Sequence, residues 1–301
     1  MYSLICGDCL EVMRSMEDNS VDLVLCSPPY EAARSYGIEF NLRGDAWVSW
    51  AFERYMECVR VSRGLVAWVV EGQTRDFRWS ATPALLMAEL HRGGVRLRKP
   101  PIYARVGIPG SGGPDWWRND YEFIICSSKW RRLPWSNNTA TGHAPKYPPG
   151  GKPSHNLRDG RVNRQNEYKP PALANPGNII RCHGGKGHMG SELSHENEAP
   201  FAEKLAESFI LSFCPEGGTV LDPFCGSGTT NSVAERLGRN SIGIDLRQSQ
   251  VELSVRRIAF DSEKGSDMAK KAPSPKAPAK PAKPMSGKAS GKKSGKKSDK
   301  C

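Results

Sequence analysis

"TVLDPFCGSGTTNSVAERLGRNSIGIDL", residues 219 to 246, is the stretch that decides the fold. A short apolar run ends at Asp222, a glycine-rich turn follows, helical periodicity carries the chain through Arg236, and a second apolar run closes on Asp245. Strand, tight turn, helix and strand in this order make a βαβ unit, which implies a parallel pair of strands. Gly226 and Gly228 stand between strand and helix, where glycine lets the backbone approach a ligand, and an acid at the end of the next strand suits a ribose diol. By itself the G-x-G also fits a strand-to-helix turn that binds nothing. No lysine follows the last glycine, so the loop is not a P-loop.

Alternation of the same kind runs through the rest of the chain. "YSLIC" predicts a strand, "CLEVMRSM" a helix with Leu10, Met13 and Met16 at helical spacing, and "VDLVLC" a buried strand. "AWVSWAFERYMECVRV" predicts a helix, "GLVAWVVEG" a buried strand, "TPALLMAELHRGG" a helix entered at Pro83 and closed by Gly93 and Gly94, and "YEFIICSSK" another strand. "PFAEKLAESFILSFC" and "QSQVELSVRRIAF" add two amphipathic helices around the βαβ unit. The expected fold is α/β, a doubly wound and mostly parallel sheet.

Composition bounds the rest. A chain of 301 residues, 38% hydrophobic, can bury a large core, and it has no long apolar run or charged leader that would predict a membrane span or a signal peptide. Nine scattered cysteines fit a reducing compartment and small core positions better than a disulfide framework. An intracellular, cytoplasmic protein of a prokaryote or phage is expected, with a nuclear address still open on composition. The net charge of +11 is unevenly spread. Residues 262 to 301 carry twelve lysines against three acids, and residues 131 to 176 carry eight basic residues against two acidic ones. The first of these segments is a Lys/Pro-rich tail too poor in apolar surface to fold alone. The second is rich in Pro, Gly and Asn, without apolar periodicity, a loop long enough to be functional or disordered. The expected divisions are therefore residues 1–130, an insert at 131–194, residues 195–261, and a disordered tail at 262–301.

The string D-P-F-x-G-S-G-T followed by "IGIDL" resembles the cofactor loop of S-adenosylmethionine-dependent amino-methyltransferases of DNA, and "SPPY", residues 27 to 30, resembles their catalytic motif. The resemblance covers roughly residues 1 to 260. It implies a Rossmann-like fold, S-adenosylmethionine as cofactor, double-stranded DNA as partner, and the order of motifs found in the circularly permuted beta subgroup. Asp8 in "LICGDCLEVM" would then contact the cofactor's adenine. Phe201 and Lys204 would line its methionine end, Asp222, Phe224, Gly226 and Gly228 would shape its pocket, and Asp245 would take its ribose. The insert, with Trp135, Tyr147 and Tyr168 among its basic residues, would read DNA sequence. One departure is "VRVSRGLVAWVVEG", which lacks a Lys-Pro-Gly-Gly turn common at that point.

If both loops leave strands of one sheet, donor and acceptor meet at its carboxyl edge. Proline supplies no N–H and stiffens the turn at Pro28 and Pro29, so the carbonyls there face outward and suit a hydrogen-bond donor. The exocyclic amino group of a base is such a donor. Ser27 and the Pro28 carbonyl would hold its two N–H groups, and Tyr30 would stack on the flipped base. Catalysis would rest on positioning and hydrogen bonding rather than on a covalent intermediate. In the family, Ser before Pro-Pro-Tyr is typical of cytosine-N4 enzymes and Asp or Asn of adenine-N6 enzymes, so Ser27 implies cytosine with adenine as the alternative. Methylation at cytosine C5 needs a Pro-Cys nucleophile, and no cysteine here follows a proline.

Other features weigh less. "CGDC", Cys6 to Cys9, lacks a second pair and predicts no metal. Cys182, His183, His188 and His195 in "RCHGGKGHMGSELSH" are too glycine-spaced for a zinc finger and read as a flexible connection. The basic tail suits nonspecific DNA contact or a targeting or solubilising role. A homodimer and a cognate restriction endonuclease are plausible partners. The competing functions are an inactive DNA-binding homologue, and methylation of RNA or of a protein glutamine by a related loop.

Overall fold

The computed structural model describes residues 1–32, 40–107, 115–147, 154–156, 162–164, 169–183, 190–196 and 202–271. The chain opens with β1 (Tyr2–Cys6), α1 (Cys9–Ser15), β2 (Val21–Cys26), α2 (Gly44–Val61) and β3 (Ser62–Val70). A short hairpin of β4 (Thr74–Arg75) and β5 (Arg78–Trp79) precedes α3 (Thr82–Arg92), β6 (Leu97–Arg98), β7 (Ile102–Val106) and β8 (Tyr121–Ser127). Beyond the insert's β9 (Ser154–Asn156), β10 (Val162–Arg164) and β11 (Ile179–His183) come α4 (Glu203–Phe213), β12 (Thr219–Asp222), α5 (Thr229–Arg236), β13 (Asn240–Asp245) and α6 (Gln248–Lys271).

The central sheet runs in the order β1-β13-β12-β2-β3-β8-β7-β11, with β6 beside β8. The first five strands are mutually parallel, and β8 is antiparallel to β3 and β7. The continuous apolar runs of β2 and β3 follow from burial on both faces. Val24, Cys26, Val66, Trp68 and Val70 pack with Met13, Trp47, Ala51, Tyr55, Leu86 and Leu90 of α1, α2 and α3. Their alternates, Leu23, Leu25, Leu65, Ala67 and Val69, pack with Leu205, Phe209, Val233 and Ala234 of α4 and α5. The period of two has sorted one strand sequence into two cores.

Local rules hold at the ends of the helices. Asp8 caps α1 by accepting from the Leu10 amide at 2.7 Å, Pro83 sits in the first turn of α3, and the Gly93 amide closes that helix on Glu89. α6 continues past residue 261 because Asp261 takes hydrogen bonds and charge from Ser232 and Arg257, which fastens the helix where the apolar pattern ends.

The segment 131–194 contributes an element that its composition hides. Residues 179 to 183 form β11, parallel to β7, with Cys182 buried in the second core. Cys182 and His183 thus belong to the sheet and not to a flexible connection, because the alternation Ile180 and Cys182 supplies an inward face five residues long. Tyr168, His188 and the tail from residue 272, with Cys301, lie outside the described residues. No helix of the described residues is long and apolar enough to cross a membrane.

Candidate active site

The chain order reverses between β12 and β2. From β2 the chain crosses through α2 to β3 on one side, and from β12 through α5 to β13 on the other. At such a switch point the loops leaving the carboxyl ends diverge and open a crevice. Residues 27–32 leave β2 and residues 223–228 leave β12, and these two strands are hydrogen-bonded neighbours. The two motifs singled out in the sequence therefore share one edge.

The glycine loop is built from backbone conformations that disfavour other residues. Gly226 and Gly228 have φ of 50° and 74°. A Cβ on Gly228 would stand 2.8 Å from Ser254 Oγ, which itself donates to the Gly226 carbonyl at 2.7 Å. Asp245 latches the loop from the next strand: Oδ2 accepts the Gly226 amide at 3.1 Å and Oδ1 the Arg247 amide at 2.9 Å. Burial raises the Asp245 carboxyl above its ordinary range despite those amides and the Arg247 charge. Asp222, fully enclosed at the end of β12, is pushed by burial up to about 7, against the donated Phe224 amide and with the Asp245 charge adding to the rise.

Asp8 joins this group through the register, because Cys6 pairs with Asp245 and the Gly7 amide donates to the Asp245 carbonyl. Its second oxygen accepts Arg54 at 3.2 Å, and the Arg54 guanidinium lies 4.6 Å over the Trp50 ring. Trp50 stands 5.7 Å from Phe224, which meets Trp68 edge-on at 5.5 Å, and Phe40 closes on Trp50 at 4.9 Å. An aromatic wall thus runs from Asp8 to the foot of the Ser27 loop. Lys204 is exposed on the first turn of α4, which starts at the same sheet edge because the helix must run back to the beginning of β12. Phe201 lies outside the described residues.

The Ser27 loop is held rigid from several sides. The Trp47 indole donates to the Pro29 carbonyl at 2.9 Å, and Glu31 Oε1 accepts the Gly44 amide at 3.1 Å. Ser27 Oγ donates to Tyr30 Oη at 3.2 Å, and Tyr30 Oη donates to Glu122 Oε2 at 2.7 Å. The other oxygen of Glu122 pairs with Arg105 at 3.1 Å. Among the described residues no donor reaches the Pro28 carbonyl, which is therefore available to a ligand.

Beside the loop stands Glu71, three residues past Trp68 as Pro29 is three past Cys26, its register partner. Its Oε1 accepts the Trp79 indole at 3.0 Å and the Gly72 amide at 2.9 Å, while Oε2 is buried with no partner among the described residues. Burial raises the Glu71 pKa above its ordinary value, against the hydrogen bonds it accepts from Trp79 and Gly72. Glu71 and Glu122 escape motif matching, as do Trp50 and Arg54. The signal that could have found the glutamates is an acid inside or at the mouth of a strand that is otherwise apolar, "VVEG" and "YEFIIC".

The cysteines divide as small core residues do. Cys9, Cys26, Cys58, Cys126, Cys182, Cys214 and Cys225 are buried, and Cys6 is exposed. Burial pushes the Cys9 thiol up to about 12, which leaves it no reactive thiolate at neutral pH. His195 lies in a 3₁₀ turn, Glu192–Glu196. Trp135 and Tyr147 of the insert are exposed.

A family model described as DNA methylase, of the N6 and N4 type, matches residues 21–256. The orphan methyltransferase M.BamHII of Bacillus amyloliquefaciens is 32% identical over 80% of this chain and 89% of its own length. The DNA adenine methyltransferase YhdJ of Escherichia coli K12 is 26% identical over 85% of this chain and 82% of its own length. Among solved structures, the cytosine-N4-specific PvuII DNA methyltransferase superposes with a TM-score of 0.64 at 20% identity, covering 90% of this chain and 92% of that one.

Proposed function

This chain belongs to the N6/N4 DNA methylase family, and within it we propose that the protein methylates the N4 amino group of a cytosine flipped out of duplex DNA, as a member of the permuted beta subgroup. S-adenosylmethionine, the methyl donor of this S-adenosylmethionine-dependent family, supplies an electrophilic methyl carbon. The residues fit that group. The glycine loop offers close backbone approach, Asp245 keeps lone pairs for a diol on oxygens that already accept amides, and the aromatic wall ending at Asp8 suits an adenine ring.

The single observation that carries the acceptor side is the chain Ser27, Tyr30, Glu122 beside an unpartnered Pro28 carbonyl. Ser27 Oγ and that carbonyl accept the two N–H groups of the amino nitrogen and free its lone pair from the ring. The nitrogen then attacks the methyl carbon; the carbon–sulfur bond breaks with its electron pair going to sulfur, and the nitrogen sheds one proton. Ser27 Oγ, Tyr30 Oη and Glu122 form a route for that proton, at 3.2 and 2.7 Å. Glu71 Oε2 lacks the partner that a base edge would supply. Ser27 supports cytosine, because Ser heads this motif in cytosine-N4 enzymes. The adenine-N6 product is the second reading, favoured by the likeness to YhdJ.

Incubation with S-adenosylmethionine and unmethylated duplex DNA, digestion to nucleosides and mass spectrometry test the proposal. N4-methylcytosine is expected. N6-methyladenine keeps the mechanism and overturns the assignment of the base, and no modified base in varied DNA overturns the reading as a whole. Ser27→Ala is expected to abolish transfer while retaining cofactor binding.

A further inference from the structure

The hairpin β4–β5 rises from the carboxyl end of β3 beside the Ser27 loop, and its stem is tied to that loop. Gln73 Nε2 donates to the Ala32 carbonyl at 3.4 Å, Trp79 Nε1 donates to Glu71 at 3.0 Å, and the Trp79 ring lies 6.3 Å from Phe123, the neighbour of Glu122. The stem closes where the Ser80 amide donates to the Gln73 carbonyl. From there the tip stands roughly 10 Å further out, at about 3.3 Å per strand residue.

At that tip is a residue that a two-residue turn would not choose. Asp76 and Phe77 both have positive φ, 48° and 59°, as the mirror-image hairpin turn requires. Glycine, asparagine or aspartate normally fills such positions, as Asp76 does, and a phenylalanine there is a steric outlier. Its ring is 66% exposed, and among the described residues its one ring contact is the edge of Trp116, at 5.2 Å. Arg75 and Arg78 flank it, exposed, and neither forms an ion pair with a described residue. Trp117, 95% exposed, continues the same surface. An apolar ring held in a strained turn between two guanidinium groups that form no ion pair with a described residue has no folding role that these contacts explain.

The geometry points to a DNA-docking wedge: Phe77 enters the base stack next to the target nucleotide, and Arg75 and Arg78 hold the flanking phosphates. This rests on the proposed DNA methylation and adds to it a device that lies outside the 131–194 insert. The charge fits a polyanion, and apolar side chains inserted between base steps are a known means of unstacking a duplex. A base leaving the stack for the Ser27 loop leaves a gap, and the tethered hairpin presents its ring at the rim of the same site.

The test uses a short duplex containing the sequence that the wild-type protein methylates, either fully paired or with the target base opposite an abasic gap. Phe77→Gly removes the ring and relieves the positive φ, so its melting temperature should match or exceed that of the wild type. On paired DNA its kcat/KM should fall at least tenfold, and on gapped DNA it should stay within about twofold, because the gap has already lowered the cost of flipping. Equal rates on paired DNA, or the same loss on both duplexes, would overturn the wedge. Arg75→Ala with Arg78→Ala should flatten the slope of log affinity against log salt by about two; an unchanged slope would overturn the phosphate contacts. If the wild type methylates no DNA at all, the functional reading fails first, and that outcome is distinct from either of these.

Discussion

The Tyr30 hydroxyl donates to Glu122 Oε2 at 2.7 Å, joining residues 92 positions apart. It ties the loop that leaves β2 to a strand at the antiparallel side of the sheet, and it orients the ring proposed to face the base. Tyr30→Phe keeps the ring and removes the bond, and Glu122→Gln keeps the shape and removes the charge. A hydrogen bond to a charged group is worth about 1.5–3 kcal/mol, which corresponds to roughly 10- to 100-fold in rate if it is expressed in the transition state. Both variants should lose kcat on this scale with the KM for S-adenosylmethionine unchanged. Single-turnover methylation of a short duplex measures this; a rise in KM with kcat intact would place the pair in cofactor binding instead.

Asp222 predicts a pH effect of definite sign. Burial lifts its carboxyl to about 7, above an ordinary 3.8, so the folded protein retains a proton that the unfolded chain has released between those values. Its ionisation therefore costs nothing below pH 3.8, costs progressively more through the window, and costs most above 7. Asp222→Asn can still accept the Phe224 amide and carries no charge. The variant should gain stability over the wild type at pH 8, with an upper bound of about 4 kcal/mol at 1.4 kcal/mol per unit, and the gain should shrink toward pH 5. It should also bind the cationic cofactor less tightly. Urea midpoints at pH 5, 6, 7 and 8 provide the check, and a difference that does not vary with pH would contradict the assignment.

What was legible in the sequence follows from where the signal resides. Local periodicity located β1, β2, β3, β8, β12, β13 and the six α-helices of the described residues, because each carries its own apolar stripe or run. The shared edge of Ser27 and Gly226 was also legible, since parallel strands put their exit loops together. β11 was not: five residues amid prolines and glycines become a strand only because β7 offers an edge. Glu122 and Glu71 were equally hidden, as their roles arise from pairing across the sheet and no spacing along the chain reports it. The hairpin tip at Phe77 gave no sequence signal because its turn defies the residue preferences by which such turns are found.

Glu203 should be the costliest single charge to remove. Its Oε1 accepts Arg257 at 2.7 Å and the Ser191 amide at 3.0 Å, and its Oε2 accepts Arg236 at 2.8 Å, so one carboxylate binds α4 to α5 and α6. Burial alone would raise its pKa, but Arg236 and Arg257 hold it below the ordinary value. Its contribution is thus present above the unfolded value and is lost as pH falls through the lower, folded one. The Arg257 side chain is fully buried, and Glu203→Ala leaves its charge to the longer 3.5 Å contact with Asp261, at a cost of up to about 3–5 kcal/mol. Urea unfolding at neutral pH measures this, and a loss under about 1 kcal/mol would refute the network's structural role.

Two glycines with nearly the same backbone separate strain from function. Gly228 and Gly238 have φ of 74° and 71°, so an alanine at either costs roughly 1–2 kcal/mol for the left-handed conformation alone. Around Gly238 nothing lies within 4 Å of a new Cβ, whereas at Gly228 the Cβ would stand 2.8 Å from Ser254 Oγ and 3.1 Å from its Cα. The Cα belongs to the backbone of α6 and cannot rotate away, so the glycine loop must shift and break the 2.7 Å bond from Ser254 to the Gly226 carbonyl. Gly238→Ala should therefore lose only the strain and bind S-adenosylmethionine as the wild type does. Gly228→Ala should lose about 2–4 kcal/mol, strain plus overpacking, and at least tenfold in cofactor affinity. Calorimetric titration of the cofactor beside urea unfolding of both variants decides the matter. Equal cofactor affinity in the two would mean that the loop tolerates displacement and that its close packing on α6 serves stability alone.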